Sequence, residues 1–230
     1  MLKFKRRYYN PLLEAMQDLF ENAFSCNGFR LCFKATGDKE MTRIEEIEAK
    51  CAECHRCPLG EGRTKLVFGD GNTESEVMLI GEGPGEQEDI QGIPFVGPAG
   101  QLLDTMLELI DLDRTKVYIA NTVKCRPPKN RDPKEEEQAE CREYLEAQIE
   151  AVNPKIIVCL GRIAATALIR KDFKITREHG VFSDYNGRRI MATYHPSALL
   201  RDASKRPEAF EDLRRLRQEI RLICERTYKE

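Results

Sequence analysis

Cys51-x-x-Cys54-x-x-Cys57 stands far ahead of two isolated thiols, Cys125 and Cys141. A C-x-x-C pair can close a chelate ring on one metal centre, and two distant cysteines complete a four-thiolate set only where the fold returns the chain to the same place. Cys54, Cys57, Cys125 and Cys141 make such a set, with Cys51 offering an overlapping pair. Spacing alone suits zinc and iron-sulfur chemistry equally. Between these thiols lies Gly81-Glu-Gly-Pro-Gly85, a turn whose glycines let backbone approach a ligand closely. It lacks the Lys-Ser or Lys-Thr ending of a nucleotide-binding P-loop and the spacing of a dinucleotide fingerprint, which argues against an ATPase or a dehydrogenase.

Other polar and aromatic residues stand beside these. Glu82, Glu86, Glu88 and Asp89 make the turn acidic, Phe95 sits in a Gly- and Pro-bounded loop, Asn121 ends an apolar run, and His195 opens a His-Pro-Ser turn. Each has an ordinary alternative: Phe95 a packed loop aromatic, Asn121 a turn cap, Glu86 a solvated acid. Lys124, Arg126, Lys129 and Arg131 flank the third thiol, and Arg201, Lys205 and Arg206 follow the histidine. These local clusters matter because 37 basic against 39 acidic residues give a net charge of −2 and no global attraction to nucleic acid.

The elements that must position these residues are short. Val77–Gly81, Val117–Asn121, Ile156–Gly161 and Arg189–Tyr194 are apolar runs that read as four buried strands. Helical patterns separate them at Ala99–Ile110, Pro133–Val152 and Arg162–Ile169, and another, from about Pro207 to Glu225, closes the chain. Strands alternating with helices predict an α/β fold with a mainly parallel sheet, covered on both faces. In such sheets ligands gather beyond the carboxyl ends of the strands, where the Gly81 turn, Asn121 and His195 all fall. Leu12 to Phe24 has helical spacing, so residues 1–42 read as an appendage carrying a helix at about 11–25, and 43–230 as the main domain. Nine cysteines, an odd number in a chain of 230 residues, point to a reducing cytoplasm rather than a disulfide framework. No stretch approaches the roughly 18 apolar residues of a membrane span, and the basic start lacks a secretory h-region.

Taken in order, Gly81-Glu-Gly-Pro-Gly-Glu-Gln-Glu-Asp89, Gly92-Ile-Pro-Phe-Val-Gly97, Asn121-Thr-Val-Lys-Cys-Arg-Pro-Pro128, Asn130-Arg131 and His195-Pro-Ser-Ala-Leu-Leu-Arg201 resemble the family 4 uracil-DNA glycosylases. The resemblance runs from about Cys54 to about Leu216. It implies a three-layer αβα sandwich, a structural 4Fe-4S cluster, and hydrolysis of the N-glycosidic bond of deoxyuridine in single- and double-stranded DNA, leaving an abasic site. The family's C-x-x-C-Pro-Leu form selects Cys54 and Cys57, which Pro58-Leu59 follow.

The resemblance also assigns roles. A flipped base is read on its edge and stacked on its face. Phe95 supplies the face, Asn121 accepts from uracil N3–H and donates to O4, and a neutral His195 donates to O2 as negative charge develops there. Gly81, Glu82 and Gly83 complete the uracil pocket. Glu82 and Glu88 are the carboxylates expected to serve the water and the cationic sugar, with Asn130 as an orienting partner. Lys124, Arg126, Arg131 and Arg201 are expected on DNA phosphates. Leu199 and Leu200 are expected as a wedge in the gap left by the base, with core packing as their alternative. Related enzymes with a water-activating Asp or a pocket-guarding Tyr carry them where this chain has Gly83 and Gly85. Lys124–Pro133 holds no His, so turnover without a covalent adduct is expected. A monomer is expected, with the N-terminal helix available to a replication or repair protein. Two rival readings are a DNA-binding module that has lost catalysis and a glycosylase for another damaged base.

Overall fold

The apolar runs do become strands, and their order explains where the polar residues meet. In the computed structural model, which describes residues 41–229, the strands are Asp70–Gly71 (β1), Val77–Gly81 (β2), Tyr118–Asn121 (β3), Ile156–Leu160 (β4), Ser183–Tyr185 (β5) and Arg188–Thr193 (β6). They form one sheet in the order β1-β3-β2-β4-β6-β5. The four expected strands are its parallel centre; β1 and β5 add antiparallel edges, so the sheet has six strands rather than four. The edges escaped the sequence reading because two- and three-residue strands carry no apolar period, and β5 is exposed or half-buried throughout.

Residues along β2 alternate between the two faces. Val77 and Leu79 pack with Leu103, Met106 and Leu107 of Pro98–Glu108 and with Leu213, Leu216 and Ile220 of Arg206–Ile223. Met78 and Ile80 pack with Leu145 and Ile149 of Glu135–Val152 and with Ala164 and Ala165 of Arg162–Leu168. Both faces are therefore dry, and each fully buried Leu or Ile contributes about 1.5–3 kcal/mol. The result is the three-layer αβα sandwich. In chain order the helices are Arg43–Ala52 (α1), Leu59–Gly62 (α2), Glu86–Gln91 (α3), Pro98–Glu108 (α4), Glu135–Val152 (α5), Arg162–Leu168 (α6), Ile175–Glu178 (α7), Pro196–Arg201 (α8) and Arg206–Ile223 (α9).

Helix α1 starts where its sequence dictates. Thr42 and Glu45 exchange bonds, the Thr42 amide donating to the Glu45 carboxylate at 2.7 Å and the Glu45 amide to the Thr42 hydroxyl at 3.4 Å. The expected helix at 11–25 lies outside the described residues. Among those described, no helix is long and apolar enough to cross a membrane.

The chain runs from β2 to β3 on one side and reaches β4 on the other, so the strand order reverses beside β2. Gly81 and Asn121 are register partners at the carboxyl ends of β2 and β3. His195 follows β6, two places across the sheet from β2 on the other side. A topological switch point of this kind opens a crevice between the diverging loops.

Candidate active site and thiol cradle

A cleft of about 740 Å³ opens there, lined by residues that include Glu82, Phe95, Asn121, Asn130, Asp132, His195 and Arg201. Its floor is tightly constrained. A Cβ on Gly81 would lie 2.4 Å from Asn121 Oδ1 and 2.5 Å from Phe95 Cζ, so only glycine lets amide and ring converge on this strand end. Asn121 is 2% exposed, and its Oδ1 has no hydrogen-bond partner among the described residues. Buried acceptors are nearly always satisfied, and this orphan in a ligand-sized cleft is free to accept from a ligand's N–H. Lys124 fixes the backbone beneath it, donating from Nζ to the Asn121 carbonyl at 2.8 Å.

Phe95 adopts left-handed backbone geometry, with φ 55°, which is strained for an aromatic residue. Arg114 holds it there: the guanidinium donates to the Phe95 and Pro94 carbonyls and to Asp104. Nothing in the sequence signalled Arg114, which lies 19 residues beyond Phe95 and belongs to no motif. The Phe95 ring stands 5.5 Å from the His195 ring, tilted by 32°.

His195 caps helix α8 with its own side chain. Nδ1 accepts from the Ser197 amide at 3.1 Å and lies 2.8 Å from the Ser197 hydroxyl. A ring nitrogen that accepts cannot carry the proton, so in the neutral imidazole the proton sits on Nε2. Burial lowers the His195 pKa to about 4, Arg201 adding to the fall and Glu88 opposing it, so the ring is neutral at neutral pH. A Cβ on Gly161, at φ +91°, would meet the His195 Cβ at 2.8 Å, so the turn after β4 leaves room for this residue only as glycine.

Glu82 is held at the mouth of β2. Its carbonyl accepts from the Thr122 hydroxyl at 2.5 Å and the Val123 amide at 3.3 Å. Burial pushes its carboxyl up to about 7; Asp132 adds to the rise, and Arg162 and Arg201 oppose it. Glu88 has a different setting. Its carboxylate accepts from the amides of Gly85, Val96 and Gly97 at 3.1, 2.9 and 2.8 Å, which pins the glycine turn to the Phe95 loop. Its geometry is that of a clamp, and its side chain also lines the cleft. Asn130 lines the cleft at φ 55°, its Oδ1 taken by Arg126 Nε at 2.8 Å.

The expected DNA contacts divide. Lys124 is fully buried, donating also to Gln148, and does not reach a phosphate. Burial lowers its pKa to about 8, against the raising effect of nearby thiols. Leu199 is 2% exposed and belongs to the core, which leaves the half-exposed Leu200 as the wedge candidate. Arg131 is bound through both terminal nitrogens to Glu137, at 2.6 and 2.8 Å. Arg126 bridges Asn130 to Glu86, and Arg201 is exposed at the rim of the cleft.

The thiols gather on the other side of the Asn121–Cys125 segment. Cys57, Cys125 and Cys141 pack together around Leu59 and Val123, and with Cys51 and Cys54 they line one small cleft. All seven described cysteines are free thiols. Among the described residues no three Cys, His, Asp or Glu form a group that could hold a single metal ion. A cubane differs, because each of its four thiolates takes its own iron, so the ligands line a cavity rather than converge on one point. Arg63 donates to Cys125 Sγ at 3.4 Å, and the buried Lys124 lines the same cleft, so cations face the charge such a cluster would bring. The donor set and its surroundings fit the group.

Comparison with known proteins decides the family. The family model of the Uracil DNA glycosylase superfamily matches residues 68–217. A type-4 uracil-DNA glycosylase of Thermotoga maritima is 43% identical over 182 residues, covering 77% of this chain and 95% of its own length. The type-4 enzyme of Saccharolobus solfataricus is 42% identical, covering 78% and 88%, and that of Archaeoglobus fulgidus 40%, covering 76% and 92%. This chain belongs to the type-4 uracil-DNA glycosylases. As a uracil-DNA glycosylase it is a monofunctional DNA repair hydrolase that removes uracil, and the cleft beyond β2, β3 and β6 lies within the matched residues. The glycosylase's N-terminal 40 residues, including Cys26 and Cys32, fall outside both the family match and the described residues.

Proposed function

We propose that the cleft binds a uracil flipped from single- or double-stranded DNA and that Asn121, Phe95, His195 and Glu82 divide the chemistry among them. The observation that carries this reading is the buried Asn121 Oδ1, which has no partner among the described residues and converges with the Phe95 ring on Gly81. It is an acceptor kept for uracil N3–H; cytosine offers a lone pair at N3 and is repelled. Phe95 stacks on the base, and the amides around Gly83 approach its edge. As the glycosidic bond breaks, its electron pair passes to uracil N1 and spreads to O2, where His195 Nε2–H donates a hydrogen bond. A neutral donor serves here because it stabilises the anion without first binding a proton. Water then bonds C1′ of the sugar, and its proton goes to Glu82, with Asn130 orienting it.

Arg201 and Arg126 meet phosphates, and Leu200 fills the space the base vacates. Cys54, Cys57, Cys125 and Cys141 hold a 4Fe-4S cluster whose contribution is structural, joining the α1–α2 segment to the exit of β3. The same reading takes residues 1–42 as an appendage whose helix docks a repair or replication protein, and the enzyme as a cytoplasmic monomer. The test is excision from labelled single- and double-stranded oligonucleotides bearing one uracil, with alkali to cut abasic sites and thymine strands as control. Cleavage confined to uracil strands is expected in both forms. Binding without cutting would favour the DNA-binding module.

A further inference from the structure

Asp132 belongs to no motif and looks misplaced, an exposed carboxylate on the wall of a cleft that must admit a phosphate-bearing strand. Its surroundings account for it. It lines the same cleft as Glu82, whose proton affinity its charge raises, and its Oδ2 is gripped by Arg162 Nη2 at 2.5 Å. Arg162 is the first residue of α6, after the Gly161 turn that also makes room for His195. A carboxyl pair beside a guanidinium thus joins three loops: the exit of β2, the segment after β3 and the exit of β4.

We infer that Asp132 is a positioning residue for the glycosylase reaction: held by Arg162, it shares a proton with Glu82 and makes Glu82 the stronger base toward the attacking water. The inference rests on the role of Glu82 proposed above. Two carboxyl groups on one cleft wall do not both ionise freely, so the negative charge of Asp132 raises the affinity of Glu82 for a proton. A base is most effective when its proton affinity matches the working pH. The proton that water loses on bonding C1′ goes to Glu82, which Asp132 then bonds. The other charged groups facing Glu82 are Arg162 from α6 and Arg201 from the end of α8, both opposing proton uptake. Glu86, Glu88, Arg131 and His195 are the further titratable groups that line the cleft. Arg162 therefore has two effects, anchoring Asp132 and offsetting its charge.

The experiment is the pH dependence of single-turnover excision from a uracil-containing single strand, using the cluster-loaded full chain. The wild-type rate should fall on the acid side of about pH 7, as Glu82 takes up its proton. Asp132→Asn should move that limb to lower pH, and Arg162→Gln should move it to higher pH, each by roughly half a pH unit, since both side chains are partly solvated. Glu82→Gln should abolish the limb together with most of the rate. A merely structural role for Asp132 would lower rates at every pH without opposite displacements. If Glu82→Gln abolishes the limb while the other two variants leave it in place or move it the same way, the Asp132 inference falls alone. If Glu82→Gln keeps the wild-type limb, the proposed role of Glu82 falls and the inference with it.

Discussion

Two side chains at the cleft are defined by what their atoms have left to offer. His195 gives its Nδ1 to Ser197 and so presents Nε2–H, while Asn121 keeps an acceptor with no partner among the described residues. On the proposed reading, Asn121→Ala removes the group that tells uracil from cytosine. Excision of uracil should fall by about a hundredfold or more, the scale on which sites built to bond a polar edge discriminate. The comparison to make is single-turnover rates for uracil strands against binding of an abasic strand, which should change little. Of these features, the residue types were legible in sequence, because His-Pro-Ser and the strand-end Asn have fixed local geometry. The roles of Asp132, Arg162 and Arg114 were not, since each acts through a contact made by distant loops. Lys124 was misread because it stands in a basic run, yet its backbone lies in the buried stretch that follows β3.

Among the elements, the segment from Asn121 to Cys125 has two faces, one turned to the base pocket and the other to the thiols. Lys124 sits between them, bonded to the Asn121 carbonyl and lining the thiol cleft. On the proposed cluster assignment, Cys125→Ser should abolish brown visible absorption and bound iron, and should lower the unfolding midpoint in denaturant. Retention of both iron and colour would remove Cys125 from the ligand set. The central strands were readable because continuous apolar runs have no other stable place than between two helical layers. The edge strands were not, because pairing alone makes them. The double-sided covering of the sheet followed from alternation of strands and helices, and the separation of its two apolar faces required the register.

Within the described residues, the turn after α9 returns to the start of β2. The buried Glu76 carboxylate accepts from the amides of Glu225, Arg226 and Thr227, at 2.8, 2.7 and 3.0 Å, and pairs with Lys155. Burial raises its pKa, but these bonds more than offset that and bring it down to about 2. A folded-state pKa below the unfolded one stabilises at pH above about 4.5, and that stability is lost as pH falls toward 2. Glu76→Gln should therefore weaken the fold by about 2 kcal/mol at neutral pH and flatten the acid-unfolding curve between pH 4.5 and 2, measured by urea unfolding at a series of pH values. Among the described residues, none of the groups bonded to Glu76 lines the cleft, so excision rates at neutral pH should survive the change. Arg114 has the opposite character. It is a charged, partly exposed side chain, the class in which substitutions are usually tolerated. Yet its guanidinium spans two carbonyls and Asp104 to keep Phe95 in a conformation the backbone disfavours, and an ammonium cannot span them. Arg114→Lys should cost about tenfold in excision rate with little loss of folding. Natural variation at position 114 should therefore be read as a change to the cleft that Phe95 lines, although neither charge, exposure nor distance along the chain would mark it so.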